Sequence, residues 1–177
     1  MKILDATCGT KDLWYQKNHP YVIFMDKRKG TFYYKYPNSP KKVEYHVEPD
    51  VVSEWKDAPF PDNYFDMIVF DPPHIIQNST KGSMPTKYTI LNPNNWQMVL
   101  KEGIKKLFDI LKPDGIFIFK WCETEKFPHP VSIDNVLKLF PYKPLFGSNS
   151  KSKRKNSANI YWIVFLKYKE NKELDIN

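Results

Sequence analysis

The sequence predicts an α/β fold, an open, doubly wound and mostly parallel sheet with helices between its strands. Three observations carry that expectation. Short runs of apolar residues too continuous for a half-solvated strand alternate with a stretch of helical period. Several of those runs end on an acid, at the strand ends where open α/β sheets bind their ligands. The chain of 177 residues, 41% hydrophobic and 16% aromatic, has enough apolar material for one domain with a sizeable core.

The elements follow in order. Lys2 to Gly9 reads as a short strand entering a small-residue turn, and Thr10 to Lys17 as a short helix ending before Pro20. Tyr21 to Met25 is a second buried strand, closed by Asp26 and then Lys27-Arg28-Lys29-Gly30. An acid about 20 residues after the first turn is the βαβ spacing that binds an adenosine. Thr31 to Tyr36 and Lys42 to Val47 form an inserted, Tyr-rich β-hairpin (31–47) around Pro37-Asn38-Ser39-Pro40. Val51-Val52 is a brief third core strand, followed by Glu54 and a Pro-broken loop from Ala58 to Asp66.

Met67-Ile68-Val69-Phe70 is the next buried strand, stopped by Asp71-Pro72-Pro73-His74. Two prolines offer no N–H and hold φ near −65°, so Asp71 and the carbonyl of Pro72 stand as acceptors in a stiff turn. The polar segment 77–95 is long enough to be a substrate loop beside that turn. Trp96 to Leu111 has helical spacing, Lys112-Pro113-Asp114-Gly115 reads as a turn, and Ile116 to Trp121 as a strand. A short helix over Ile133 to Phe140 precedes two final strands, Lys143 to Phe146 and Ile160 to Leu166, joined by a basic loop (147–157). A polar tail, 167–177, closes a single domain spanning 1–166.

A formal charge of +7 points to a polyanionic partner, most simply nucleic acid. Cys8 and Cys122 are too few for a disulfide framework, and their spacing from His residues suggests no metal site. With no apolar run of about 18 residues and no signal-peptide pattern, the expectation is a soluble cytoplasmic protein without a membrane partner.

Taken together, Ile3-Leu4-Asp5-Ala6-Thr7-Cys8-Gly9-Thr10, Asp26, Glu54, Pro59-Phe60-Pro61-Asp62 and Asp71-Pro72-Pro73-His74 resemble the class I S-adenosylmethionine-dependent methyltransferases. More narrowly, the chain looks like the small, phage-type stand-alone enzymes that methylate exocyclic amino groups of DNA bases and carry Asp-Pro-Pro-His. The resemblance implies a Rossmann-like sheet of seven strands, the last pair an antiparallel hairpin, and S-adenosyl-L-methionine as cofactor. It implies that Asp5, Thr7 and Gly9 form the turn at the methionine end of the cofactor. Asp26 would accept the ribose hydroxyls, Glu54 would read the adenine amino group, and Asp71 would border both ligands. Thr7 and Lys11 stand where the family usually has glycines.

The chemistry of the turn can also be argued directly. An exocyclic amine is a poor nucleophile because its lone pair is conjugated into the ring. Asp71 and the Pro72 carbonyl, accepting its two N–H groups, favour a pyramidal nitrogen and stabilise the charge that grows there. The resemblance puts His74 at the family's aromatic position, usually Tyr, Phe or Trp, where the ring stacks on an extruded base, and if protonated it could also touch a phosphate. Trp121, at the end of its strand, is a candidate wall of the substrate pocket. Lys153, Arg154 and Lys155, within an acid-free stretch, are candidates for phosphate contact. The expected reaction is methyl transfer to adenine N6 in DNA. The alternatives are an RNA base as target, or a module that binds the cofactor without catalysis.

Overall fold

The structure is a computed structural model, described for residues 1–124, 128–151 and 158–168. Its centre is a seven-stranded sheet in the order β5-β2-β1-β6-β7-β9-β8. The strands are β1 (Ile3–Asp5), β2 (Val22–Asp26), β5 (Val51–Val52), β6 (Phe65–Phe70), β7 (Leu111–Glu123), β8 (Phe146–Lys151) and β9 (Asn159–Leu166). β1 pairs in parallel with β2 and β6, β2 with β5, and β6 with β7. β9 runs antiparallel to both β7 and β8. This is the expected mostly parallel sheet with its terminal antiparallel pair. The inserted hairpin is also present, β3 (Gly30–Lys35) with β4 (Lys42–Val47), as a separate two-stranded sheet.

The reason for the apolar runs lies in the two faces of the sheet. On one, Leu4, Ile68, Phe70, Phe117, Phe119, Trp121 and Phe165 meet α2 (Trp96–Ile110) and α3 (Ile133–Leu137). Leu100, Ile104, Leu107 and Phe108 recur at helical spacing along α2 and are all buried there. On the other, Ile3, Cys8, Val22 and Phe24 form a smaller cluster with Trp14 and Met67. Central parallel strands are buried on both sides, so they cannot alternate with polar residues.

Several boundaries differ from the expected ones. No helix spans Thr10 to Lys17; the segment is a series of turns. Lys11 takes a positive φ of 57°, the Trp14 indole N–H donates to Asp5, and the Trp14 ring meets Phe24 edge-on at 5.4 Å. Those inward contacts replace helical hydrogen bonds. β6 starts at Phe65, inside the expected Pro-broken loop, because that residue pairs with Leu111. The expected turn at Lys112 to Gly115 survives only as an irregularity inside β7, with Asp114 at φ 62°.

Segment 77–95 is not a bare loop. It contains α1 (Ser83–Tyr88), and Leu91 bridges to Ile76. The last hairpin is displaced as well, β8 beginning where the first of its strands was expected to end. Residues 147–151 of the expected basic loop are therefore strand, paired with β9. Lys153, Arg154 and Lys155 lie outside the described residues, as does most of the 167–177 tail.

Candidate active site

The order of the sheet reverses at β1, whose neighbours are β2 and β6, and ligands of open α/β sheets sit outside such a point. A cavity of about 240 Å³ lies there. The turn after β1 (Ala6 to Thr10), Asp26 at the end of β2, Asp71 to His74 after β6, and Lys120 and Cys122 of β7 all line it. Arg28, Trp55, Met84, Tyr88, Thr89 and Ile160 are among its other walls.

The turn after β1 is held from behind. Asp5 is 1% exposed and does not itself line the cavity. Its carboxylate accepts the Thr7 N–H at 3.1 Å and the Trp14 Nε1–H at 2.7 Å. Burial pushes its pKa up to about 7, against the pull of those two donors. Gly9 adopts φ +48°, a conformation that costs glycine nothing, and its N–H donates to Asp26 Oδ2 at 3.0 Å. Thr7, where a glycine was the usual residue, has a task that glycine could not perform. Its Oγ1 accepts the Asp71 N–H at 2.9 Å and joins the turn after β1 to the turn after β6.

Asp26 is only 8% exposed and already holds Arg28, through the Arg28 N–H at 2.9 Å and Nε at 3.4 Å, both on Oδ1. The remaining guanidinium nitrogens donate to the carbonyls of Thr86 and Lys87 at 3.1 and 2.8 Å. One arginine thus connects the acid that ends β2 to the end of α1. Ser83 at the other end of α1 bonds the Tyr45 hydroxyl at 2.8 Å, and Lys87 pairs with Asp12 at 2.5 Å. Hairpin and helix form one cover, and Met84, Tyr88 and Thr89 are its contribution to the cavity wall.

Glu54 stands apart from the cavity lining. It precedes a single 3-10 turn (Trp55–Asp57), pairs with Lys27 at 3.2 Å, and leaves its neighbour Trp55 to face the cavity. Trp55 is 5% exposed, meets Phe70 edge-on and presses its indole against Gly103 of α2.

At the opposite end, Asp71 Oδ2 accepts a 2.6 Å bond from Lys120 Nζ, the two side chains being 16% and 20% exposed. Burial raises the Asp71 pKa, and the Lys120 charge and hydrogen bond oppose that rise. Burial, with the Lys120 charge beside it, pushes His74 down to about 4. His74 is therefore a neutral flat ring at physiological pH, and a protonated His74 reaching for phosphate does not fit this site.

Trp121 is not a wall of the pocket. It is 1% exposed, stacks on Phe119 and donates Nε1–H to the Val131 carbonyl at 3.1 Å. Strand alternation turns Lys120 and Cys122 to the other face, and these line the cavity instead. Reading the sequence for single motifs passed over Arg28, Trp55 and Lys120 as site residues. Each is one or two positions from a residue that was chosen, and strand alternation alone would have separated Lys120 from Trp121. Among the described residues, no group of three His, Cys, Asp or Glu side chains could hold a metal ion, and no helix is long and apolar enough to cross a membrane.

No protein-family model matches this sequence, and no curated protein matches it. Solved structures do match. A Leishmania major S-adenosylmethionine-dependent methyltransferase superposes with a TM-score of 0.53 at 10% identity, over 93% of this chain and 64% of that one. A Methanosarcina mazei S-adenosylmethionine-dependent methyltransferase gives 0.55 at 13%, over 96% and 93%. The Burkholderia thailandensis 1,6-didemethyltoxoflavin-N1-methyltransferase, with 1,6-didemethyltoxoflavin and S-adenosylhomocysteine bound, gives 0.55 at 13%, over 94% and 71%. The fold of this chain is that of the class I S-adenosylmethionine-dependent methyltransferases.

Proposed function

We propose that this protein transfers a methyl group from S-adenosylmethionine to an exocyclic amino group of a nucleic-acid base, adenine N6 in DNA foremost. The observation that carries the reading is the placement of Asp71, Pro72 and His74 in one cavity with Gly9 and Asp26. The residues fit the cofactor. Gly9 gives a turn with no side chain in the way, Asp26 Oδ2 accepts one hydrogen bond and keeps a lone pair for a ribose hydroxyl, and Trp55 offers an aromatic surface for an adenine. When bound, the cofactor supplies an electrophilic methyl on a sulfonium.

Everything else is positioning and electrostatics by the chain itself. Asp71 Oδ1 and the Pro72 carbonyl accept the two N–H groups of the amine and free its lone pair from the ring. Asp71 then stabilises the positive charge developing on nitrogen. The neutral imidazole of His74 presents a face on which an extruded base can stack without the desolvation cost of a cation. The charge of +7 suits a polyanionic substrate.

Tritiated methyl transfer to DNA, RNA and protein pools, followed by identification of the labelled nucleoside, tests the reading. The expected product is N6-methyladenine in DNA. Asp71→Ala should abolish transfer while calorimetry still detects the cofactor and its demethylated product. Label in protein alone would refute the base-directed reaction, and no binding of either cofactor form would refute any methyl transfer.

A further inference from the structure

We infer that Lys120 is a positioning residue for this reaction: it holds Asp71 as a carboxylate and occupies one of its oxygens, so that Oδ1 is left as the acceptor for the substrate amine. The inference rests on the amino-methyltransferase reading above and adds to it a residue that no part of the Asp-Pro-Pro-His turn contains.

The geometry is specific. Phe119 pairs with Phe70, the last residue of β6, across the parallel β6–β7 ladder, so the residues that follow each, Lys120 and Asp71, come side by side. Phe119 and Trp121 are buried in the core, and alternation sends Lys120 to the cavity side. A lysine between two buried aromatics of a central strand is costly to leave unpaired. Its Nζ is 2.6 Å from Asp71 Oδ2, with the Trp162 ring centroid 5.7 Å away.

Asp71 is meanwhile held by its backbone, through the Thr7 Oγ1 bond at 2.9 Å and the proline that follows. Main chain and one carboxylate oxygen are both immobilised, one by the turn after β1 and the other by β7. Preorganisation of this kind is what a reaction driven by orientation needs.

The other charged or titratable groups around Asp71 cannot replace the lysine. Asp5 is itself a buried acid whose pKa burial raises, Asp26 is occupied by Arg28, and His74 is uncharged. Without Lys120, burial would favour the protonated carboxyl. A protonated carboxyl turns an O–H toward its surroundings and loses acceptor capacity for the amine.

The test uses the whole chain with Lys120→Met, which keeps the stem and removes the charge, and Lys120→Arg, which keeps the charge. Carbon-13 titration of the Asp71 carboxyl, assigned by its loss in Asp71→Asn, is done without cofactor or substrate. In Lys120→Met the Asp71 pKa should rise by about 1–3 units. Methyl transfer should show kcat lower by about 100-fold with KM changed less than about threefold, and the acid limb of the pH profile should move up with the carboxyl.

Lys120→Arg should recover most of that loss, and affinity for S-adenosylhomocysteine should be unchanged in both. If Lys120→Met does not fold, Lys120→Gln is carried through the same titration. An Asp71 pKa that stays put in the neutral variant overturns the inference, as does equal loss of kcat in the Met and Arg variants with an unmoved acid limb. Should the wild-type protein methylate no base, the functional reading fails on its own, while the titration still decides whether Lys120 governs Asp71.

Discussion

Gly103→Ala should both destabilise this protein and weaken its hold on the cofactor, although alanine is the better helix former. A Cβ built at Gly103 would stand 1.9 Å from Trp55 Cδ1 and 2.3 Å from Nε1. Carbon atoms settle at about 3.5–4.0 Å, so the ring must retreat by about 2 Å. It has little room, being 5% exposed and 5.5 Å from Phe70. Overpacking of this kind costs about 1–3 kcal/mol, and with the backbone of α2 on one side the upper end is expected. Alanine returns about 1 kcal/mol of helix propensity. The net loss is about 2 kcal/mol, or about 4–8 °C in Tm for a chain of this size.

Because Trp55 also lines the cavity, affinity for S-adenosylhomocysteine should fall by about tenfold, equivalent to about 1.4 kcal/mol. Near-UV circular dichroism gives the first quantity and titration calorimetry the second. Trp55→Ala removes the whole ring that crowds Gly103, so in that background the alanine should cost much less. A Tm equal to or above wild type for Gly103→Ala would show that helix propensity outweighs the wedge and that Trp55 is not held as described.

Two further outcomes follow from the site. The Asp5 pKa is about 7 in the fold against 3.8 in a free side chain, so the folded state keeps a proton that the unfolded chain releases. Its contribution is full below about pH 4 and is lost as pH rises through about 7, up to about 4 kcal/mol in the limit of complete titration. Urea unfolding at pH 5 and 8 should show this loss in wild type and a smaller one in Asp5→Asn, and equal slopes would exclude Asp5 as the cause. Arg28→Ala should release the carbonyls of Thr86 and Lys87, quicken amide exchange over residues 83–89 and weaken cofactor binding. Unchanged exchange there would mean that Ser83 and Lys87 secure the cover without it.

The failures of local reading have particular causes. Leu13, Trp14 and Lys17 have the spacing of a helical turn, yet Trp14 is drawn to Asp5, nine residues earlier, and to Phe24 on the next strand. Ser83 to Tyr88 carries a proline and follows a glycine, so its composition argues for a loop. It is helical where Arg28 meets its last carbonyls and the hairpin tyrosines meet Ser83. A short helix of that kind is stabilised by what packs on it more than by its own propensity.

The strands, the parallel sheet and the acids at the strand ends were legible in the sequence, because burial on both faces demands unbroken apolar runs and a strand ends where its polarity changes. Asp5, Gly9, Asp26 and the Asp71 turn belong to that local grammar. Tertiary structure alone decided the partners of those acids. It joined Thr7 to Asp71 across 64 residues, Lys120 to Asp71 across 49, and Arg28 to α1 across 58 and 59. It also wedged Trp55 against Gly103. Charge pairing and steric fit depend on distance in space, and the register of neighbouring strands sets that distance where sequence separation cannot.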